Sequence, residues 1–113
     1  MLTVYGIKNC NKIRDTLKWF DEREADYQFV DLKKQPMSRE ELFELVSKVG
    51  LDVLVNRRGM KWRQLGLAGK EISDEELFDL LHEHQTMITR PLITKDEAVM
   101  VGYDENSFER FLD

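Results

Sequence analysis

The residues best suited to chemistry lie at the start of the chain, in Tyr5-Gly6-Ile7-Lys8-Asn9-Cys10-Asn11-Lys12. Cys10 is the single cysteine of the 113 residues. Leu2, Val4 and Tyr5 before it read as a short buried strand, and Gly6 and Asn9 supply a loop. Ile13, Leu17 and Phe20 after it recur on one face of a helix. The cysteine therefore falls where a loop turns into a helix. Unpaired backbone N–H groups and the positive end of the helix dipole favour an anion at that place. The thiol is thus expected to titrate below the free value of about 8.5. Lys8 and Lys12 act in the same direction. Lys8, Asn9, Asn11 and Lys12 are the candidate residues for stabilising the thiolate and binding its partner. The alternative use of a lone cysteine is as a small buried hydrophobe.

Three arginines extend the candidate set. Arg57 and Arg58 lie in the turn Asn56-Arg57-Arg58-Gly59, from which side chains can reach out of a scaffold. Arg90 precedes Pro91 at the entrance to an apolar segment. Guanidinium groups bind oxyanions and carboxylates through paired hydrogen bonds, which suits a small oxyanion, a sulfenate or the carboxylates of glutathione. Against this, surface arginines are mostly solvated or weakly paired. His82 and His84 make a poor zinc signature and read as cations at a helix end. Trp62 reads as packing.

The chain as a whole fits one soluble α/β domain. Apolar residues make up 42% and charged residues 35%, a globular composition. The net charge of −5 argues against nucleic acid as the main partner. No apolar run reaches the roughly 18 residues of a membrane span, and no stretch reads as a signal peptide. One cysteine cannot form an internal disulfide. The expected compartment is the cytoplasm, and the expected state a monomer.

Several elements must position these residues. Tyr27-Gln28-Phe29-Val30-Asp31-Leu32 alternates as a strand, so strand, helix and strand form a βαβ unit with parallel strands. Ser38 opens a capping box with Glu41; Leu42, Leu45, Val46 and Val49 line the helix, and Gly50 ends it. Residues 51–70 read as short helices. Ser73 opens another capping box with Glu76, ahead of a helix carrying Leu77, Phe78, Leu80 and Leu81 and ending near His84. Met87 to Ile93 reads as an apolar strand entered through Pro91, a position where a proline is sometimes cis. Ala98 to Gly102 is its hairpin partner across Lys95-Asp96-Glu97. A last helix, roughly 105–112, is capped by Asp104 or Asn106 and buries Phe108, Phe111 and Leu112. The sum is a four-stranded mixed sheet in a thioredoxin-like arrangement, with a helical insertion (about 38–86) between its βαβ and ββα halves. In such a sheet the Pro91 turn lies beside the end of the first strand, near Cys10.

With Ile13 where a Cys-x-x-Cys motif would place a second thiol, any thiol that resolves a mixed disulfide on Cys10 must come from outside. Glutathione, a glutaredoxin or a thioredoxin would serve, and no bound cofactor or metal is called for.

The sequence resembles the arsenate reductase-like (ArsC-like) proteins, most closely their YffB branch, with the Spx regulators as further relatives. The features that carry this are Tyr5 to Cys10, Asn56-Arg57-Arg58-Gly59 with Trp62-Arg63, Gln64-Leu65-Gly66-Leu67-Ala68, Thr89-Arg90-Pro91-Leu92 and Val101-Gly102-Tyr103. The resemblance implies a nucleophilic Cys10, a cis Pro91 and an Arg90 that faces the active site. It also implies glutathione- or glutaredoxin-dependent thiol reduction. Arsenate reductases of this family surround the oxyanion with three arginines. Arg90 matches one, Arg57 or Arg58 another, and the third falls near Gly102, where this chain has no arginine. Two alternatives to a thiol reductase follow: an arsenate reductase, and a non-catalytic, Spx-like protein-binding module.

Overall fold

The computed structural model describes residues 1–112, so the expected domain end at residue 113 lies outside the described residues. In chain order the elements are β1 (Leu2–Gly6), α1 (Asn11–Glu22), β2 (Tyr27–Asp31), α2 (Arg39–Val49), α3 (Leu51–Leu54), α4 (Met60–Gln64), α5 (Asp74–Glu83), a 3₁₀ turn (Gln85–Met87), β3 (Leu92–Lys95), β4 (Ala98–Val101), α6 (Glu105–Phe108) and a second 3₁₀ turn (Glu109–Phe111). They form two compact units. One comprises Met1–Gln35 and the described residues from Arg90 onward; the other is Pro36–Thr89.

The first unit is built on a mixed sheet of order β2-β1-β3-β4. β1 runs parallel to β2, with Leu2 opposite Tyr27 and Gly6 opposite Asp31. β3 runs antiparallel to β1, with Tyr5 opposite Leu92, and β4 antiparallel to β3. This is the four-stranded mixed arrangement the sequence predicts. Alternation puts Leu2 and Val4 of β1 into the core, where they meet Trp19, Phe20, Ile93, Phe108 and Phe111. The rings of Trp19 and Phe20 meet edge to face at 5.0 Å, and those of Trp19 and Phe108 at 5.4 Å.

Three local expectations need correction. The buried face of α1 is Ile13, Thr16, Trp19 and Phe20, and Leu17 is only half-buried. Thr16 can be buried because its hydroxyl donates to the Lys12 carbonyl at 2.6 Å, which satisfies the polar group within the helix. The strand expected from Met87 starts instead at Leu92. Met87 lies in a 3₁₀ turn, Ile88 bridges Val55, and the Thr89 N–H donates to the Leu54 carbonyl at 2.7 Å. Pro91 then offers no donor to a ladder. The last helix is one turn capped by Asp104, which accepts from the Asn106 N–H at 3.1 Å, and it continues as 3₁₀ turn.

The second unit is helical. Ser38 and Glu41 form the reciprocal capping box at α2. Ser73 caps α5 by accepting from the Glu76 N–H at 3.1 Å. The expected reciprocal box is not completed, because the Glu76 carboxylate accepts from the Ser73 hydroxyl at 3.2 Å rather than from the Ser73 N–H. Gln85, a residue that sequence patterning passes over, is buried and clamps two segments. Its amide accepts from the Met37 N–H at 2.7 Å and donates to the Met37 carbonyl at 2.8 Å and the His82 carbonyl at 3.1 Å. No described helix is long and apolar enough to cross a membrane.

Tyr27, at the start of β2, donates to Asp21 at 2.8 Å and so ties the strand to the end of α1. Burial, followed by the hydrogen bond and the charge of Asp21, pushes its phenol up from 10.0 to about 12. A raised folded-state value gives stability that is fully present below the unfolded value and lost as pH rises through the folded one. Urea unfolding followed from neutral pH to about pH 12 is therefore expected to show stability falling above pH 10. In Tyr27→Phe part of that alkaline loss disappears. An unchanged slope in the variant would refute the linkage.

Candidate active site

Gly6 ends β1, and the chain then turns through exposed Lys8 and Asn9 to reach Cys10. The position of this loop depends on the absence of a side chain at Gly6. A Cβ there would stand 2.2 Å from Ile13 Cδ1 and 2.5 Å from its Cγ1. Ile13 is itself buried, so the start of α1 packs directly on the backbone of the central strand. The Gly6 carbonyl also accepts from the Leu32 N–H at 2.8 Å, which extends the parallel pairing one step beyond β2.

Cys10 is half-buried and occupies the N-cap of α1 with extended backbone (φ −117°, ψ 126°). Its carbonyl accepts the first helical bond, from the Arg14 N–H at 3.0 Å. Its side chain makes no capping hydrogen bond, and no acidic residue stands in the first turn. The opening N–H groups of α1 thus lack the side-chain acceptor that a serine or aspartate cap would supply. A thiolate at this position has those donors and the helix dipole next to it. Asn11 and Lys12 are exposed in the first turn, and the Asn11 side chain accepts from the Arg14 guanidinium.

The Arg90–Pro91 bond is cis. Because Tyr5 pairs with Leu92, Pro91 falls beside Gly6, at the sheet end from which the Cys10 loop departs. Pro91 is buried and Arg90 half-buried. The Pro91 carbonyl accepts from the Gly102 N–H at 2.8 Å, and Gly102 has φ +97°, a conformation L side chains rarely adopt. Gly102 therefore holds the proline turn through its backbone. That role explains a glycine at the position where the sequence resemblance points to an arginine.

Arg57 and Arg58 belong to the second unit. The Arg57 guanidinium pairs with Asp52 at 2.9 Å and lies 5.5 Å from the Trp62 ring centroid. Arg58 uses its backbone N–H on Asn56 Oδ1 at 3.1 Å, and its side chain is exposed. Trp62 is buried, in its expected packing role. Sequence pairing rules do not flag the engagement of Arg57 by Asp52 and Trp62, since both lie five residues away, outside the helical i, i+3 and i, i+4 spacings.

A βαβ half and a ββα half around one cysteine at a helix N-cap, with a cis-proline turn at the same sheet end, define a thioredoxin-like fold with a helical insertion. Within that class the chain belongs to the ArsC family, whose model matches residues 5–111. It is similar to the uncharacterized protein YusI of Bacillus subtilis, 38% identical over 112 residues that cover 96% of this chain and 95% of YusI. It is also similar to the global transcriptional regulator Spx of the same organism, 25% identical over 114 residues, 99% of this chain and 87% of Spx. A solved structure of a YffB protein superimposes with a TM-score of 0.90, at 25% identity and full coverage of both chains.

Gly6→Ala is expected to cost about 1–3 kcal/mol, the usual penalty of overpacking a filled site, measured by urea unfolding. Ile13→Val removes Cδ1, the nearest clashing atom, so adding it to Gly6→Ala should recover part of the loss. Simple additivity of the two changes would show that the clash is not the cause.

Proposed function

We propose that this chain is a thiol oxidoreductase of the ArsC family that works with one cysteine and takes its reducing equivalents from glutathione or a glutaredoxin. The observation that carries this is Cys10 at an N-cap with no side-chain acceptor of its own, at the sheet end shared with cis Pro91. Family membership supports it.

In the proposed cycle the Cys10 thiolate attacks one sulfur of a substrate disulfide. A Cys10–sulfur bond forms, the substrate S–S bond breaks, and the leaving sulfur departs as a thiolate that takes a proton from water. A glutathione thiolate then attacks the non-protein sulfur of the mixed disulfide, which releases Cys10 as thiolate and carries the oxidation away as a disulfide. Lys8, Asn9, Asn11 and Lys12, with the first N–H groups of α1, stabilise the anionic sulfur. Arg90 and the Pro91 turn orient the substrate or glutathione. Of the arginine pair, Arg58 is the better proposal for an anionic group, because Arg57 already engages Asp52 and Trp62. The proposed setting is the cytoplasm, where glutathione keeps thiols reduced.

Arsenate is the alternative substrate, with Arg90 on the oxyanion and no arginine at Gly102. A second reading, a non-catalytic protein-binding module, is favoured by the similarity to Spx along 99% of the chain.

Intact mass after incubation with oxidised glutathione tests the proposal. One glutathione adduct, absent in Cys10→Ser, is expected. No adduct on the wild-type chain rejects the enzyme readings. Loss of a charge-assisted hydrogen bond is worth about 1.5–3 kcal/mol. Arg90→Ala should accordingly lower kcat/KM for glutathione-coupled disulfide or arsenate reduction by roughly 10- to 100-fold. The substrate that turns over distinguishes the two reactions.

A further inference from the structure

The second unit carries an aromatic patch that neither the fold nor the proposed chemistry uses. α2 buries Leu42 and Leu45, and α5 buries Leu77 and Leu81. Phe43 faces the other way and is 63% exposed. On α5, half-buried Phe78 meets it edge to face, with ring centroids 6.2 Å apart. Arg39 flanks Phe78: its guanidinium lies 5.0 Å from the Phe78 centroid and pairs with Asp79 at 2.8 Å. Arg39, Glu40, Phe43 and Phe78 line an open groove of about 310 Å³. Groove size and openness fit a side chain presented by a macromolecule better than an enclosed small molecule.

Carboxylates outnumber cations around the patch. Glu40 stands one turn before Phe43, and Asp74 and Glu75 stand one turn before Phe78, positions that share a helix face with the rings. α5 contains no lysine or arginine, and Arg39, the cation at the groove, is already committed to Asp79. A large exposed aromatic on a helix otherwise well packed marks an interaction surface, and a carboxylate rim selects a cationic partner. A second copy of this chain is a poor occupant, because an isologous contact would set the same carboxylates against each other.

We propose that this surface docks a basic amphipathic segment of another protein. One bulky apolar side chain of that segment inserts at Phe43 and Phe78, and lysine or arginine residues within a turn of it meet Glu40 and Glu75. The docking surface belongs to the second unit and Cys10 to the first, and the proposal does not depend on the chemistry of Cys10.

The full chain, labelled with ¹⁵N, is titrated with a synthetic helical peptide of leucine, tryptophan and lysine, and with its counterpart in which glutamate replaces every lysine. Expected are amide shifts centred on 39–43 and 74–79 with the lysine peptide alone, weakened by added salt. Phe43→Ser should reduce the affinity at least about tenfold, as for a central aromatic anchor. Because Phe43 is exposed, this variant should unfold at the wild-type urea midpoint and still form the glutathione adduct at Cys10. Equal binding of the glutamate peptide, an unchanged affinity in Phe43→Ser, or no shifts at the two helices would overturn the proposal. So would concentration-dependent broadening of these amides without peptide, which would identify a second copy as the occupant.

Discussion

The contact of Ile13 with the backbone of Gly6 is the constraint on which the arrangement of the first unit depends. β1 is the central strand, paired on both sides, and the helix that follows it must cross back over the sheet within a short loop. That return leaves no room for a side chain on the last residue of the strand, since a Cβ would overlap Ile13 unless the isoleucine shifted. Close packing at this point fixes where α1 begins, and the beginning of α1 fixes Cys10 at the N-cap. Large apolar contacts then hold the helix against the sheet. Phe20, Ile93 and Phe108 are fully buried, and burying such a side chain contributes roughly 1.5–3 kcal/mol. The position of Cys10 is therefore set by core packing, and the loop itself needs little stability of its own.

The other half of the site is fixed by the backbone. Cis Pro91 gives up a ladder donor, and its carbonyl is held by the Gly102 N–H. Two glycines at one sheet end thus serve different ends: Gly6 by close approach, Gly102 by its positive φ. An arginine at position 102 would have to adopt a backbone conformation that costs on the order of 1–3 kcal/mol for a non-glycine residue. Position 102 thus serves the backbone and offers no side chain to an anion.

Much of the fold was legible because its signals are local. The strand signals of β1 and β2, the Ser38–Glu41 capping box and the helical spacing of α5 each depend on residues close in the chain, and these elements appear where the sequence places them. Cys10 at the loop-to-helix junction was legible for the same reason. What failed depended on distant partners. The strand expected from Met87 is cut short because Ile88 and Thr89 bond to Val55 and Leu54, more than 30 residues away in the chain. Trp19 replaces Leu17 on the buried face of α1 because Phe108, from the far end of the sequence, supplies its packing partner. Gln85 was invisible because a buried glutamine is unremarkable by pattern; only its fit to Met37 makes it structural. In the candidate site Cys10 and Pro91 are readable from their neighbours, whereas Asp52 and Trp62 lie five residues to either side of Arg57, a spacing that carries no helical pairing signal.

The net charge of −5 conceals a separation that matters more than its sum. Within the second unit, Arg57, Arg58, Lys61 and Arg63 fall in and just before α4, whereas the first turns of α2 and α5 are Glu40-Glu41 and Asp74-Glu75-Glu76. The acidic turns have a local cause, since carboxylates at helix N-termini complement the dipole. Yet Glu41 and Glu76 take part in the caps, while Glu40, Asp74 and Glu75 have no capping role and remain exposed. Fields from clustered charges of this kind extend about 8 Å at physiological salt, far enough to bias which surface meets a charged partner. The basic segment can draw in anionic groups while the acidic helices repel them. A mean charge that argues against a polyanion as the main partner therefore says little about where a small anion or a basic peptide would settle, and local sequence order decides that question.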